Sequence, residues 1–380
     1  MAMVRFCTMA IVVIPSGHMF RSTTRLTAAL LALTVGIAAC GGSASDGTTT
    51  TTSGSPTTTE QPSGSTPTGA GGTLVVYSGR NENFVTPVVE KFTADTGIQV
   101  EVRYGDGTSD LATTILTEGE STDADVFWAQ DPAWIGAIGK TGLLAELPED
   151  ILSLVPERYR DANGHWVGVT ARSRVFVYNP DLVAEPELPQ SVYELTDPEW
   201  KGRIGVAPTN ASFIAFVSAM MLVDGEEKTR GWLEGMVAND VQIFSGNGAI
   251  LQAVDAGDLD AGLINHYYLL GLMRDQGTPK ARNHFLAAGD PGALVAATGV
   301  GVLAPSDNKE AALTFIRYLL SEDAQRHFAE NLNEYGLIEG APTPKDQKPL
   351  SELAGPDINL SDLADYLESA VELIASAGLS

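Results

Sequence analysis

Short apolar runs alternate along the chain with longer stretches whose apolar residues recur at helical spacing. This alternation is typical of an α/β protein built on parallel sheets. Ligands of such sheets bind beyond the carboxyl ends of the strands, so we expect a site in the loops that follow them. The predicted strands are 74–77, 98–104, 124–128, 174–178, 204–207 and 261–264, and the predicted helices are 85–93, 111–118, 213–223, 308–321, 324–331 and 360–375.

Two adjacent tyrosines, Tyr267 and Tyr268, follow the last of these strands after Asn265 and His266. Fe(III) is a hard ion that prefers anionic oxygen, which a phenolate supplies on a stiff side chain. Neighbouring residues of a strand point to opposite faces, so both phenols can reach one ion only if the backbone leaves the strand here, as in a strand-to-helix turn. Without a metal, the pair would continue the strand or begin an amphipathic helix.

The N-terminal region has the features of an export signal. Within residues 1–39, an apolar run at 26–37 is too short to span a bilayer, and Met19 is the expected true start. Cys40 ends a lipobox-like sequence, so we expect lipid attachment there and a flexible tether over the Ser/Thr/Gly/Pro-rich residues 40–72. These features predict a lipoprotein on the outer face of the cytoplasmic membrane, at the cell surface or in the periplasm.

Composition narrows the classes of function. Residues 73–380 are too many for most single cores and suit two lobes. The formal net charge of −25 disfavours nucleic acid as a partner. Cys7 and Cys40 are the only cysteines, so neither a disulfide nor a cysteine-based metal site is expected in the mature chain. The sequence has no HExxH, GxSxG or P-loop motif, so we predict that it is not an enzyme, with an exported hydrolase as a remote alternative.

Seven segments together resemble the ferric-ion-binding subunits of bacterial ABC importers, which are two-lobed, type II, periplasmic-type solute receptors. Each segment is weak evidence alone, but their order and spacing are specific. The resemblance implies an α/β fold in which each lobe is a sheet flanked by helices and the ligand lies in the cleft between the lobes. The segments are 76–80, 124–127, 172–175, 200–205, 251–254, 265–268 and 290–295.

The resemblance carries further expectations about organisation and partners. Lobe I would comprise 73–172 and about 296–340, and lobe II would comprise 173–295 and about 341–380. The tyrosine pair would bind Fe(III) as the transported ligand. The family does not use the position of His266, so we expect this residue to support the turn. The protein would be a monomer that delivers this iron to the permease and ATPase of an ABC transporter.

The resemblance also implies a synergistic carbonate or phosphate that completes the iron shell. Free amides at the start of a helix favour an anion, and a helix is predicted from Phe213. Asn210 and Ser212 could instead cap that helix without any ligand. Arg80 and Arg172 would suit an oxyanion bidentately, although each could pair with a carboxylate instead. The anion ligands that the resemblance implies are Asn210, Ala211, Ser212, Asn247 and Asn265.

Two positions depart from the family pattern, in which a histidine and a glutamate also bind the metal. Asn81 and Gln130 stand there, and neither side chain is anionic. Asn81, Gln130, Asp131 and Tyr104 are weaker candidate ligands, and Glu82, which like Asp131 lies one residue along, could substitute. The departures leave open another ligand in the same cleft: thiamine, a polyamine, a phosphonate or a sugar phosphate. Colour would discriminate, because ferric phenolate absorbs visible light.

Overall fold

The computed structural model describes residues 73–379. The signal region 1–39, the lipid-attachment residue Cys40 and the tether 40–72 lie outside the described residues and stay predictions. Between residues 73 and 379, no helix is both long enough and apolar enough to cross a membrane.

Ten strands form one mixed sheet, and each predicted strand overlaps one of them. The strands are β1 (Leu74–Ser78), β2 (Val100–Tyr104), β3 (Val126–Ala129), β4 (Val167–Tyr178), β5 (Ile204–Val206), β6 (Gln242–Ile243), β7 (Ala261–Asn265), β8 (Arg282–His284), β9 (Val295–Val302) and β10 (Tyr335–Gly336). Their order is β2-β1-β3-β9-β4-β7-β5-β6, and β8 and β10 each pair with β4. We call β1, β2, β3, β9 and β10, together with the helices and loops attached to them, the first half of the sheet. The second half comprises β5, β6, β7 and β8 with their attached helices and loops.

Strand β4 joins the two halves. Its residues Val167 to Ser173 pair antiparallel with β9, and from Arg174 onward its antiparallel partner is β7. The outer pairs, β1 with β2 and β3 and β5 with β6 and β7, are parallel. The prediction of parallel sheets is therefore correct for the outer strands and wrong for the central ones, because the chain crosses between the halves along β4 and returns along β9.

The first part of β4 was not predicted as strand. Gly168, Thr170, Arg172 and Ser173 interrupt the apolar pattern there, although all twelve residues of β4 are buried. A strand buried on both faces usually reads as continuously apolar, and polar residues inside one indicate a site rather than a surface.

Helices flank the sheet. The predicted helix 360–375 is in fact a 3₁₀ turn, Leu360–Asp365, followed by a shorter α-helix, and the helices at 132–140, 149–152, 226–238 and 247–256 were not predicted. A π-helical turn, Phe328–Leu332, ends the segment predicted as 324–331. The α-helices are α1 (Glu82–Thr96), α2 (Thr108–Glu118), α3 (Pro132–Lys140), α4 (Glu149–Leu152), α5 (Ala211–Asp224), α6 (Glu226–Ala238), α7 (Asn247–Ala256), α8 (Tyr267–Gln276), α9 (Lys309–Leu319), α10 (Glu322–His327) and α11 (Leu367–Ser376).

Three helix starts meet at one edge of the second half of the sheet. Helices α5, α7 and α8 follow the parallel strands β5, β6 and β7, so their N-termini lie at the carboxyl ends of those strands. Helix α5 is buried from Ser212 to Met221, as expected for a helix that is apolar all round. Helix α7 can pack directly on β7 because Gly262 has no side chain. A Cβ at this position would collide with Ile250 and with the backbone oxygen of Gly205.

Candidate metal centre

The tyrosine pair lies at a strand-to-helix turn, as the sequence predicts. Strand β7 ends at Asn265, His266 already has helical dihedral angles (φ −55°, ψ −38°), and α8 begins at Tyr267. The two phenol rings stack with centroids 4.5 Å apart and planes inclined by 24°. The strand-continuation alternative is therefore wrong, and both rings point to the same side.

His266 fixes this turn from inside the protein, as expected. The Ser173 N–H donates to Nδ1 at 3.2 Å, which leaves the proton on Nε2, and Nε2–H donates to the Asn333 carbonyl at 3.0 Å. Its ring stacks on Tyr335 at 5.1 Å, and its own carbonyl accepts a hydrogen bond from Asn283 at 2.9 Å. Burial lowers the pKa of His266 to about 4, so the ring is neutral at neutral pH.

Tyr267 is the more buried member of the pair, at 3% exposure. Its ring meets Phe84 of α1 edge-on, with centroids 6.0 Å apart. Its hydroxyl oxygen accepts a hydrogen bond from the Gln130 side-chain amide at 3.3 Å. Burial and then Tyr268 raise the pKa of Tyr267 well above its ordinary value, while Arg172 acts in the opposite direction. A cation near the phenol would therefore have to displace its proton.

The anion candidates of the second half of the sheet lie together. The Asn210 side chain caps α5 by accepting from the Ser212 N–H at 3.0 Å and from Ser212 Oγ at 2.6 Å. Asn247, the first residue of α7, donates to Ser212 Oγ at 3.3 Å. Ala211 is the first residue of α5, and Asn265 ends β7. Within residues 73–379, Asn247 Oδ1 and Asn265 Nδ2 are buried without a hydrogen-bond partner.

Arg174 joins this group, although sequence reasoning did not select it. Its guanidinium donates to the Ser212 Oγ and carbonyl at 3.3 Å and to the Leu263 carbonyl at 3.2 Å. Burial, then Arg172, lower the pKa of Arg174 to about 9, which leaves it charged at neutral pH. The signal was present, because residues two apart on a strand share a face and Arg172 was already a candidate.

Arg172 is the least satisfied charged side chain near the tyrosines. It is 1% exposed, and none of its three guanidinium nitrogens has a hydrogen-bond partner among residues 73–379. Buried charges are normally paired, since the desolvation of an unpaired charge costs several kcal/mol. The surroundings of Arg172 thus suit an anionic ligand.

Arg80 is placed differently from Arg172. Its guanidinium donates to both oxygens of Glu334, at 2.7 and 2.8 Å, and both side chains are fully buried. Glu334 also accepts from Thr170 at 2.7 Å. Burial alone would raise the pKa of Glu334, but Arg80 and Arg172 lower it. Arg80 is thus neutralised by a buried carboxylate, and Glu334 carried no sequence signal because it lies 254 residues away along the chain.

The weaker metal candidates have structural partners. Asn81 is exposed and caps α1 by accepting from the Asn83 N–H at 2.9 Å. Asp131 is fully buried and caps α3, and burial raises its pKa to about 6. The Tyr104 hydroxyl lies 3.5 Å from Thr86 Oγ1.

A cavity of about 230 Å³ opens beside the tyrosine pair. Phe84 and Asn333 line it from the first half of the sheet, and Tyr268, Gln252 and Arg274 line it from the second. Among the described residues, no group of three or more His, Cys, Asp or Glu side chains could hold a metal ion. Any metal held by residues 73–379 would therefore need other donors, and the stacked phenols are available.

Residues 121–354 match the family of bacterial extracellular solute-binding proteins. This chain belongs to that family. The family consists of receptors that supply ABC importers rather than of enzymes, which agrees with the expectation from the motifs.

Known relatives agree with the resemblance to ferric-ion-binding subunits. The Fe(3+)-binding periplasmic protein of Serratia marcescens is 36% identical over 309 residues, covering 80% of this chain and 90% of that protein. The structure of iron-bound HitA from Pseudomonas aeruginosa has a TM-score of 0.78 at 35% identity and covers 81% of this chain and 99% of its own. The Trichodesmium IdiA (FutA) structure with iron and citrate has a TM-score of 0.70 at 29% identity and covers 81% of this chain and 100% of its own. The family resemblance and the two-lobed α/β class are confirmed, while the lobe boundaries stay a prediction.

Proposed function

We propose that this protein binds Fe(III) outside the cytoplasmic membrane, together with a synergistic anion, and delivers it to the permease of an ABC importer. The observation that carries the proposal is the stacked pair Tyr267 and Tyr268 at the start of α8, close to the buried Arg172, whose guanidinium has no hydrogen-bond partner between residues 73 and 379. Relatives whose names state ferric binding, and a related structure described as iron-bound, support the same function.

Charge explains why an anion belongs to the proposal. Fe(III) bound by two phenolates keeps one positive charge, and Arg172 and Arg174 add two more. Gln130 and Asn81 stand where the family resemblance implies a glutamate and a histidine. No carboxylate is therefore supplied at those two positions, and the buried carboxylate Glu334 already pairs with Arg80. Carbonate or phosphate would do so, seated on the starts of α5 and α7 at Asn210, Ala211, Ser212, Asn247 and Asn265 and paired with Arg172.

Capture and release would use the hinge between the lobes. Tyr267 comes from the second half of the sheet and Gln130 from the first, so the cleft site is complete only when the two come together. A permease that favours the open form would release the iron. The lipid anchor at Cys40 would keep a monomeric receptor beside its transporter.

Visible absorbance during titration with a ferric chelate, with and without bicarbonate and phosphate, tests the proposal. We expect a charge-transfer band that saturates at one iron per protein and depends on the anion. Tyr268→Phe should lower ferric affinity well beyond tenfold, since an anionic ligand contributes several kcal/mol against ~1.4 kcal/mol per factor of ten. Tyr104→Phe is the matched control and should leave the band unchanged.

Two results would contradict this function. A Tyr268→Phe protein with affinity within about threefold of the parent would remove the tyrosine pair from the site. The absence of any band with every anion would favour an organic or phosphorylated ligand in the same cleft.

A further inference from the structure

Tyr267 is held from across the cleft by two side chains of the first half of the sheet. Phe84 packs against its ring in a T-shaped arrangement, and the Gln130 amide lies 3.3 Å from its hydroxyl oxygen. Tyr268, next to it in sequence, has no side-chain hydrogen bond of this kind within residues 73–379. The two phenols are therefore chemically distinct even though they stack.

Gln130 projects from a fixed point of the backbone. Its N–H donates to Thr108 Oγ1 at 3.0 Å. The next residue, Asp131, caps α3 by accepting the N–H groups of Ala133 and Trp134 at 3.1 and 3.2 Å. With the backbone held on both sides, the amide has little freedom other than rotation about its own side-chain bonds.

A carboxamide suits a tyrosine that changes its protonation state. Its oxygen can accept from a phenol O–H, and its NH₂ can donate to a phenolate, whereas an ionised glutamate can only accept. A glutamine at this position can thus follow the tyrosine through deprotonation without carrying charge itself.

We propose that Gln130 is a positioning residue of the iron site, which donates a hydrogen bond to the Tyr267 phenolate oxygen from the opposite side of the cleft and does not bind the metal. The inference rests on the proposed function. Donation to the phenolate oxygen withdraws electron density from it, which raises the energy of the phenolate-to-iron charge transfer. The same bond joins the two halves of the sheet, so it favours the closed form.

The test uses the full chain and a ferric chelate with the anion that gives the strongest band in the parent protein. Gln130→Met keeps the length of the side chain and removes both its donor and its acceptor. We expect the band to move to longer wavelength and ferric affinity to fall roughly tenfold, as for one hydrogen bond to a charged group. Gln252→Met is the matched control, because Gln252 is exposed and lines the cavity beside the same tyrosines. It should leave band and affinity unchanged.

An unmoved band in Gln130→Met, or an equal shift in Gln252→Met, would overturn the inference. So would a loss of affinity beyond about a thousandfold, because that would make Gln130 a ligand of the metal. If Gln130→Met does not fold, Gln130→Asn carries the same expectations, since its amide stops one methylene short of the phenol. A parent protein without any band would instead refute the proposed function, and would be seen before any variant is made.

Discussion

Each phenol must lose its proton before it can bind iron, and for Tyr267 burial makes this loss harder. Since burial and Tyr268 raise its pKa well above the ordinary value, the proton is present throughout the physiological range and only the metal displaces it. Ferric affinity must then rise with pH, because a lower proton concentration in solution favours release of the phenol protons on binding. Two displaced protons predict an increase of about 100-fold per pH unit.

Competition against a chelator of known protonation, at pH 6, 7 and 8, measures this slope. Tyr267→Phe should reduce the slope to about tenfold per pH unit, since one displaced proton remains. Protons taken up or lost by the anion affect parent and variant alike, so the difference between the two slopes isolates the phenol. Equal slopes would mean that Tyr267 does not lose a proton on binding.

The turn between β7 and α8 depends on His266, which ties this element to β4 and to the segment after the π-helical turn. His266→Phe would keep a ring against Tyr335 but leave the buried Ser173 N–H and the partly buried Asn333 carbonyl without partners. Each fully buried group of this kind costs about 1–3 kcal/mol and a partly buried one costs less, so we expect a loss of roughly 2–5 kcal/mol in the free energy of unfolding. Urea denaturation followed by circular dichroism measures it.

His284 offers a matched control on the neighbouring element β8. Its Nε2 makes one hydrogen bond, to the Pro189 carbonyl at 2.8 Å, and the side chain is only partly buried. His284→Phe should therefore cost about 1 kcal/mol. If both variants lost the same amount, the internal position of His266 would not be what stabilises the turn.

Elements were predictable where apolar residues form a local pattern, and less so where tertiary contacts decide. The strands β1, β3, β5 and β7 have largely apolar cores, β2 alternates apolar and charged residues, and the tyrosine turn followed from the geometry of adjacent residues. The first part of β4 was missed because its polar residues serve a buried site.

The Arg80–Glu334 pair could not be predicted, since nothing in a sequence indicates which of 48 acidic residues meets a given arginine. Arg172 was selected by resemblance, but only the structure revealed that its guanidinium nitrogens lack hydrogen-bond partners within residues 73–379.

The molecule as a whole is negatively charged, whereas the region around the tyrosines is lined by positive side chains. The chain carries a formal net charge of −25, whereas the arginines near the tyrosines place positive charge inside the cleft. At a distance an approaching ion experiences the field of the net charge, which salt in the solvent screens. The buried arginines act on the ion only after contact, because screening in the protein interior is weak. Encounter and binding can therefore respond differently to salt.

An anionic ferric chelate should be captured faster as salt increases. Raising the ionic strength from 0.01 M to 0.15 M shortens the Debye length from ~30 to ~8 Å and screens the repulsion between chelate and protein surface. We expect the association rate, measured by stopped-flow absorbance in the charge-transfer band, to rise several-fold for an anionic chelate and to change little for a neutral one. A rate that falls with salt for the anionic chelate would show that the cleft arginines, rather than the acidic surface, govern the encounter. The positive field of the anion-binding residues would then attract the chelate into the cleft, and the acidic surface would face away from the path of the iron.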